Sequence, residues 1–159
     1  MSVDLKEQYD RILRYCFYKV HNRELAEDIT QETFLRFLEN PQYHGINKDL
    51  QYLYTIAGNL CINHYRRKKP SEELTDTIPD GTDFEEEVLN NTALRNAIKK
   101  LSDEDREIIL LRYANEVPIG VISELYGVSR FKMGRRIKRI LLVLRNDFGI
   151  VYDGEEVEA

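Results

Sequence analysis

Residues 118–145 read PIGVISELYGVSRFKMGRRIKRILLVLR, and the order of their parts decides how this chain folds. Pro118 suits the first turn of a helix, where a missing amide proton costs nothing, and the stretch 119–126 is a short helix that Gly127 closes. Ser129 then caps a longer helix over 130–147, in which Met133, Ile137, Ile140, Leu141 and Leu144 recur every three or four residues on an inward face. Two helices joined by a glycine-bearing turn form a helix-turn-helix, and a major groove accepts a helix of this width. From 130 to 145 the second helix carries seven bases (Arg130, Lys132, Arg135, Arg136, Lys138, Arg139 and Arg145) and no acid. Such a row repels itself unless phosphates neutralise it.

Working back from this motif, Leu94, Ile98 and Leu101 keep a helical period, and Ser102 with Asp105 three places on has the form of a capping box. A helix over 103–113 is expected there, burying Ile108, Ile109 and Leu111, before Asn115 and Glu116 turn the chain into Pro118. Residues 71–92 are different in kind: eight acids, no base, and almost no large apolar group before Phe84, which reads as a linker.

Residues 52–69, YLYTIAGNLCINHYRRKK, continue the pattern on the other side of that linker. At ~100° per residue, Leu50, Leu53, Ala57, Leu60 and Cys61 share one face, with Tyr54 and Tyr65 at its edge. The opposite face presents Tyr52, Thr55, Asn59, Asn63 and Arg66 and runs into Arg67, Lys68 and Lys69, a surface suited to stacking on bases and holding phosphates. An ordinary solvated face is the alternative that this helix, taken alone, leaves open. Upstream, residues 4–20 place Leu5, Tyr9, Ile12, Leu13, Cys16, Phe17 and Val20 inward, and 24–39 do the same with Leu25, Ile29, Phe34, Leu35 and Leu38. Asp28, Gln31, Glu32 and Arg36 fall outward, an acidic face without large apolar groups that suits a basic protein surface as well as it suits water. Asn40 and Pro41 end this helix, and 42–49 is expected to be a loop.

The fold class expected is therefore all-α: two small helical domains, 1–69 and 93–150, joined by an acidic flexible linker over 70–92 and followed by an acidic tail over 151–159, the second domain being the helix-turn-helix. A net charge of −5 hides a segregation, because twelve of the 28 acids lie in the linker and tail, leaving 16 acids against 23 bases elsewhere. The N-terminus is acidic and mixed and no apolar run nears the ~20 residues a bilayer span needs, so a cytoplasmic protein without membrane insertion is expected. Two cysteines, three scattered histidines and the lack of CxxC or HExxH spacing argue against a metal site, and nothing calls for a cofactor. There is no glycine-rich phosphate loop or nucleophile elbow, so no enzyme is expected.

The segments ELAEDITQETFLR (24–36) and YLYTIAGNL (52–60) resemble region two of the bacterial extracytoplasmic-function (ECF, group IV) sigma factors. The run from Leu101 through LRY at 111–113, with Ile122, Gly127, Ser129, Arg136 and Arg139, resembles their region four. The resemblance implies a subunit that brings core RNA polymerase to specific promoters and helps to open them. Asp28, Gln31 and Glu32 then match positions that dock on the beta-prime clamp helices. Tyr52, Tyr54, Asn59, Asn63, Arg66 and Arg67 correspond to the side facing opened minus-ten DNA, and 42–49 to a loop that receives a flipped base. Ser129, Arg130, Lys132, Arg135, Arg136 and Arg139 belong to the part that reads the minus-thirty-five duplex. The implied partners are core polymerase, through its clamp helices and beta flap, promoter DNA and an anti-sigma factor. Tyr52 stands where the family usually has Trp, Gly58 where Arg is common and Gly134 where Lys is frequent. A free-standing helix-turn-helix regulator is the competing reading, although it has no need of the acidic face beside the aromatic and amide face.

Overall fold

In the computed structural model the described residues, 4–40, 45–67 and 92–148, form helices and no strand. The chain divides into two units, over residues 1–82 and 83–159. Apart from Thr92, the stretch expected as a linker lies outside the described residues, as does the acidic tail. Among the described residues, no helix is long and apolar enough to cross a membrane.

Among the described residues, three helices make up the first unit. Helix α1 (Leu5–Val20) starts at Asp4, whose carboxylate accepts the Glu7 amide at 3.3 Å, and α2 (Arg23–Glu39) starts at Asn22, whose side-chain oxygen accepts the Leu25 amide at 2.9 Å. With α3 (Ile46–Arg67) they pack pairwise around Ile12, Cys16, Ile29, Leu53 and Ala57, all fully buried. Each large aliphatic taken from water in this way contributes roughly 1.5–3 kcal/mol. Cys16 on α1 meets Cys61 on α3, both buried and unbridged. A hydrogen bond between them, together with burial, pushes the Cys16 thiol far above its usual range and keeps it protonated.

Two expectations for this unit need correction. Leu35 and Leu38 are not inward but 59% and 50% exposed, and α2 instead buries Ala26, Ile29, Thr30, Thr33, Phe34 and Phe37. The threonines can take the core face because their hydroxyls are satisfied within the helix, Thr30 donating to the Ala26 carbonyl at 2.7 Å and Thr33 to that of Ile29 at 2.8 Å. Residues 46–49 are not loop either. Gly45, at φ 111°, breaks the chain, and α3 begins directly after it, with the Asp49 amide donating to the Gly45 carbonyl at 3.0 Å. Asp49 is buried in the first turn, where the positive end of the helix favours a carboxylate. Residues 41–44, the remainder of the expected loop, lie outside the described residues.

The second unit has α4 (Thr92–Lys99), α5 (Asp103–Ile109), α6 (Ile119–Tyr126) and α7 (Arg130–Phe148), with α7 packed on the other three. Ser102 caps α5 as expected, its Oγ accepting the Asp105 amide at 3.1 Å. The regular helix expected over 103–113 is not what forms, since α5 runs into a wider π turn, Leu110–Ala114, in which the Asn115 amide reaches back five residues to the Leu110 carbonyl at 3.0 Å. Ile108, Ile109, Leu110 and Leu111 are all buried, whereas a regular helix at ~100° per residue turns one of four consecutive side chains outward. Widening the turn keeps all four inside. Pro118 sits just before the first turn of α6, as its cap residue.

Candidate nucleic-acid interface

Helices α2 and α3 leave a cleft of about 670 Å³ along one side of the first unit. Glu32, Leu35, Arg36, Glu39 and Asn40 line it from α2, and Tyr52, Ile56 and Asn59 from α3. Tyr52 is half-buried, its ring 5.7 Å from that of Phe37 and tilted by 44°, so the phenol is supported by the core at the edge of the cleft it lines. Asn59 and Asn63 are exposed further along α3. Arg66 and Arg67 continue the helix, but their side chains lie outside the described ones, as do Lys68 and Lys69 altogether.

Tyr54, expected on the DNA-facing side, is instead 1% exposed and packs edge-on against Tyr15, with ring centroids 5.2 Å apart. Two positions from Tyr52, it lies ~200° around the helix and therefore belongs to the core. Gly58 also has a structural reason. A Cβ there would come 3.2 Å from the Tyr15 hydroxyl, so the tyrosine reaches across space that a larger residue would contest.

On α2, Asp28, Gln31 and Glu32 are exposed, with Glu32 paired to Arg36 at 2.9 Å. Leu35 and Leu38 share their side, so this face is not free of large apolar groups as the sequence suggested but carries an apolar centre. Helical period alone missed these two leucines. The signal available was the run of alanine and threonines, small enough to occupy the core side in their place.

In the second unit, Gly127 adopts the left-handed conformation, φ 69°, that closes α6, and Ser129 Oγ accepts the Lys132 amide at 3.0 Å to start α7. Lys132, Arg135, Lys138 and Arg139 are exposed on α7. Arg130 is exposed too, and its guanidinium lies over the backbone of α6, since a Cβ on Gly120 would stand 2.9 Å from its Nη2. The glycine inside α6, unfavourable by up to ~1 kcal/mol relative to alanine, admits this approach.

Arg136 has a different setting from its neighbours. Its guanidinium binds the carboxylates of Glu104 and Asp105 on α5, each at 2.8 Å, and the hydrogen bond to Glu104 foremost holds its pKa above the ordinary arginine value. Its charge is thus already neutralised within the unit, and it pins α7 to α5. Arg136→Ala should lower stability by about 1–2 kcal/mol in urea unfolding while leaving the salt dependence of duplex binding nearly unchanged. Arg139→Ala should do the reverse, sparing stability and reducing the log–log salt slope by about 0.9. A larger slope change at Arg136 than at Arg139 would refute this division.

Comparison with known proteins adds five findings. Residues 5–70 match the family Sigma-70 region 2, and residues 91–144 match Sigma-70, region 4. RNA polymerase sigma factor YlaC of Bacillus subtilis is 30% identical over 152 residues, covering 89% of this chain and 88% of that protein. The ECF RNA polymerase sigma factor SigW of the same organism is 34% identical over 148 residues, covering 82% of this chain and 79% of the relative. In fold, the chain resembles the sigma factor RpoE of Bartonella quintana, solved with the anti-sigma factor NepR, at a TM-score of 0.60 with 17% identity, over 94% of this chain and 99% of that one.

Proposed function

Given that this chain belongs to the ECF sigma factors, we propose that it binds core RNA polymerase through α2, captures bases of the opened promoter on α3 and reads the upstream duplex with α7. One observation carries the reading: Glu32 from the candidate docking face and Tyr52 and Asn59 from the candidate base-capturing face line the same cleft. Polymerase held on α2 would bring opened DNA directly beside Tyr52. In this role the protein works without catalysis of its own, in the cytoplasm with the polymerase, and an anti-sigma factor is a further expected partner. A free-standing regulator using only its helix-turn-helix would have no use for the half that matches region 2.

Asp28, Gln31 and Glu32 supply a polar, partly charged margin and Leu35 and Leu38 an apolar part, the usual composition of a protein-docking patch. Changing Asp28, Gln31 and Glu32 together to alanine should weaken capture of core polymerase by a few kcal/mol, mainly through slower association and an altered salt response. All three side chains are exposed, so the fold should survive. Binding to immobilised core polymerase and promoter-dependent transcription are the measurements, and full retention of both would remove this face from the interface.

A further inference from the structure

The outward side of α7 carries an aromatic ring in its first turn. Phe131 is 73% exposed, the highest exposure of any large apolar side chain in the described residues. Met133, Ile137, Ile140 and Leu144 are buried on the opposite side of the helix, so Phe131, Arg135 and Lys138, at intervals of four and three, form the ridge that points directly away from the core. The Arg135 guanidinium lies over the Phe131 ring at 4.9 Å from its centroid, which limits the freedom of both side chains. At Gly134, between them, a Cβ would meet nothing within 4 Å, so the backbone itself is open to close approach.

Leaving a ring of this size in water forgoes its burial, and the surrounding charge says what would cover it. No acid occurs from 130 to 145, and Lys132, Arg135, Lys138 and Arg139 all lie exposed around the ring. A polyanion that also offers an apolar contact meets both conditions, and the major groove does so at the C5-methyl of thymine. We propose that Phe131 is a specificity-determining residue that reads a thymine methyl, with Arg135, ordered by its contact with the ring, reaching the neighbouring base edge or phosphate. This rests on the reading of α7 as a duplex-reading helix.

The test uses the full chain assembled with core bacterial polymerase and a pool of duplexes randomised upstream of a fixed start region. In the enriched duplexes each thymine is replaced singly by uracil, which removes the methyl and keeps the base pair. At one thymine or two, the natural protein should lose about fourfold in affinity, the equivalent of one methyl's apolar burial. Phe131→Ala should bind the thymine duplex about as weakly as the natural protein binds the uracil one and should be indifferent to the exchange, whereas Phe131→Leu should keep part of the sensitivity. If duplexes are enriched but no thymine distinguishes the natural protein from Phe131→Ala, the assignment of Phe131 fails while duplex reading stands. If no duplex is enriched at all, the reading of α7 fails and takes this one with it. Loss of polymerase capture by Phe131→Ala, with methyl sensitivity intact, would make the ring a protein contact and likewise overturn the proposal.

Discussion

Tyr54→Ala should destabilise the first unit by about 3–5 kcal/mol, a large share of what a domain of this size possesses, while Tyr52→Ala two positions away should cost only about 1 kcal/mol. The difference follows from burial: Tyr54 is 1% exposed and packed edge-on against Tyr15, so truncation opens a cavity, whereas Tyr52 is half-exposed and rests on Phe37 from the cleft side. Urea unfolding followed by circular dichroism, compared with the natural protein, measures both. If Tyr54→Ala folds with normal stability, the packing of α3 on α1 described above is wrong. The contrast also decides how a loss of promoter activity in a Tyr54 variant should be read, namely as unfolding.

The second large effect is expected in promoter opening. Stacking one extruded base on an aromatic side chain is worth ~1–3 kcal/mol, comparable to the few kcal/mol needed to unpair and unstack it, so a small helical unit can hold DNA open only by capturing bases as they leave the duplex. Tyr52 and Asn59 line one cleft, where the proposed capture would take place. Tyr52→Ala is expected to reduce open promoter by roughly five- to 150-fold, the range corresponding to ~1–3 kcal/mol of stacking, and Asn59→Ala, which removes a hydrogen-bonding amide rather than a ring, by roughly two- to tenfold, while binding to core polymerase and to closed duplex is retained. On a template already unpaired at the minus-ten position most of the activity should return. Permanganate reactivity of unpaired thymines, with transcription from both templates, reports the outcome. Normal opening by both variants would make this side of α3 the plain solvated face that its pattern alone also allowed.

Much of this arrangement could be read from residue order. The turn at Gly127, the caps at Ser102 and Ser129, and the buried stripe Leu50, Leu53, Ala57, Leu60 and Cys61 all depend on local rules that tertiary packing did not overrule. The misreadings occurred where a local rule had two solutions. In α2 both a leucine side and an alanine–threonine side keep helical spacing, and the internal hydrogen bonds of Thr30 and Thr33 let the smaller side go inward. At Ile108, Ile109, Leu110 and Leu111, four apolar residues in succession exceed what one face of a regular helix holds, and the backbone widened to fit them. The ion pairs of Arg136 were outside the reach of the sequence for a different reason, since its acidic partners lie 31 and 32 residues earlier, a separation that no short pattern spans. Leu35 and Leu38 keep core-like spacing, so the periodicity assigns them inward and leaves only Asp28, Gln31 and Glu32 visible on the α2 face, whose apolar part appears only in the fold.

The paired thiols of Cys16 and Cys61 give the molecule a built-in clock. Both cysteines of the chain belong to the first unit, where they join α1 to α3 in full burial, so neither is accessible to an alkylating reagent while that unit is closed, and burial with the Cys61 contact also holds the Cys16 thiol protonated. The second unit has no sulfhydryl at all. The rate at which a reagent labels the intact chain is therefore the rate at which the first unit opens, unmixed with any breathing of the helix-turn-helix. If that unit docks on the polymerase as proposed, added core polymerase should slow the rate in proportion to its hold, so that one chemical reading, taken without a single substitution, times the opening of this half of the protein.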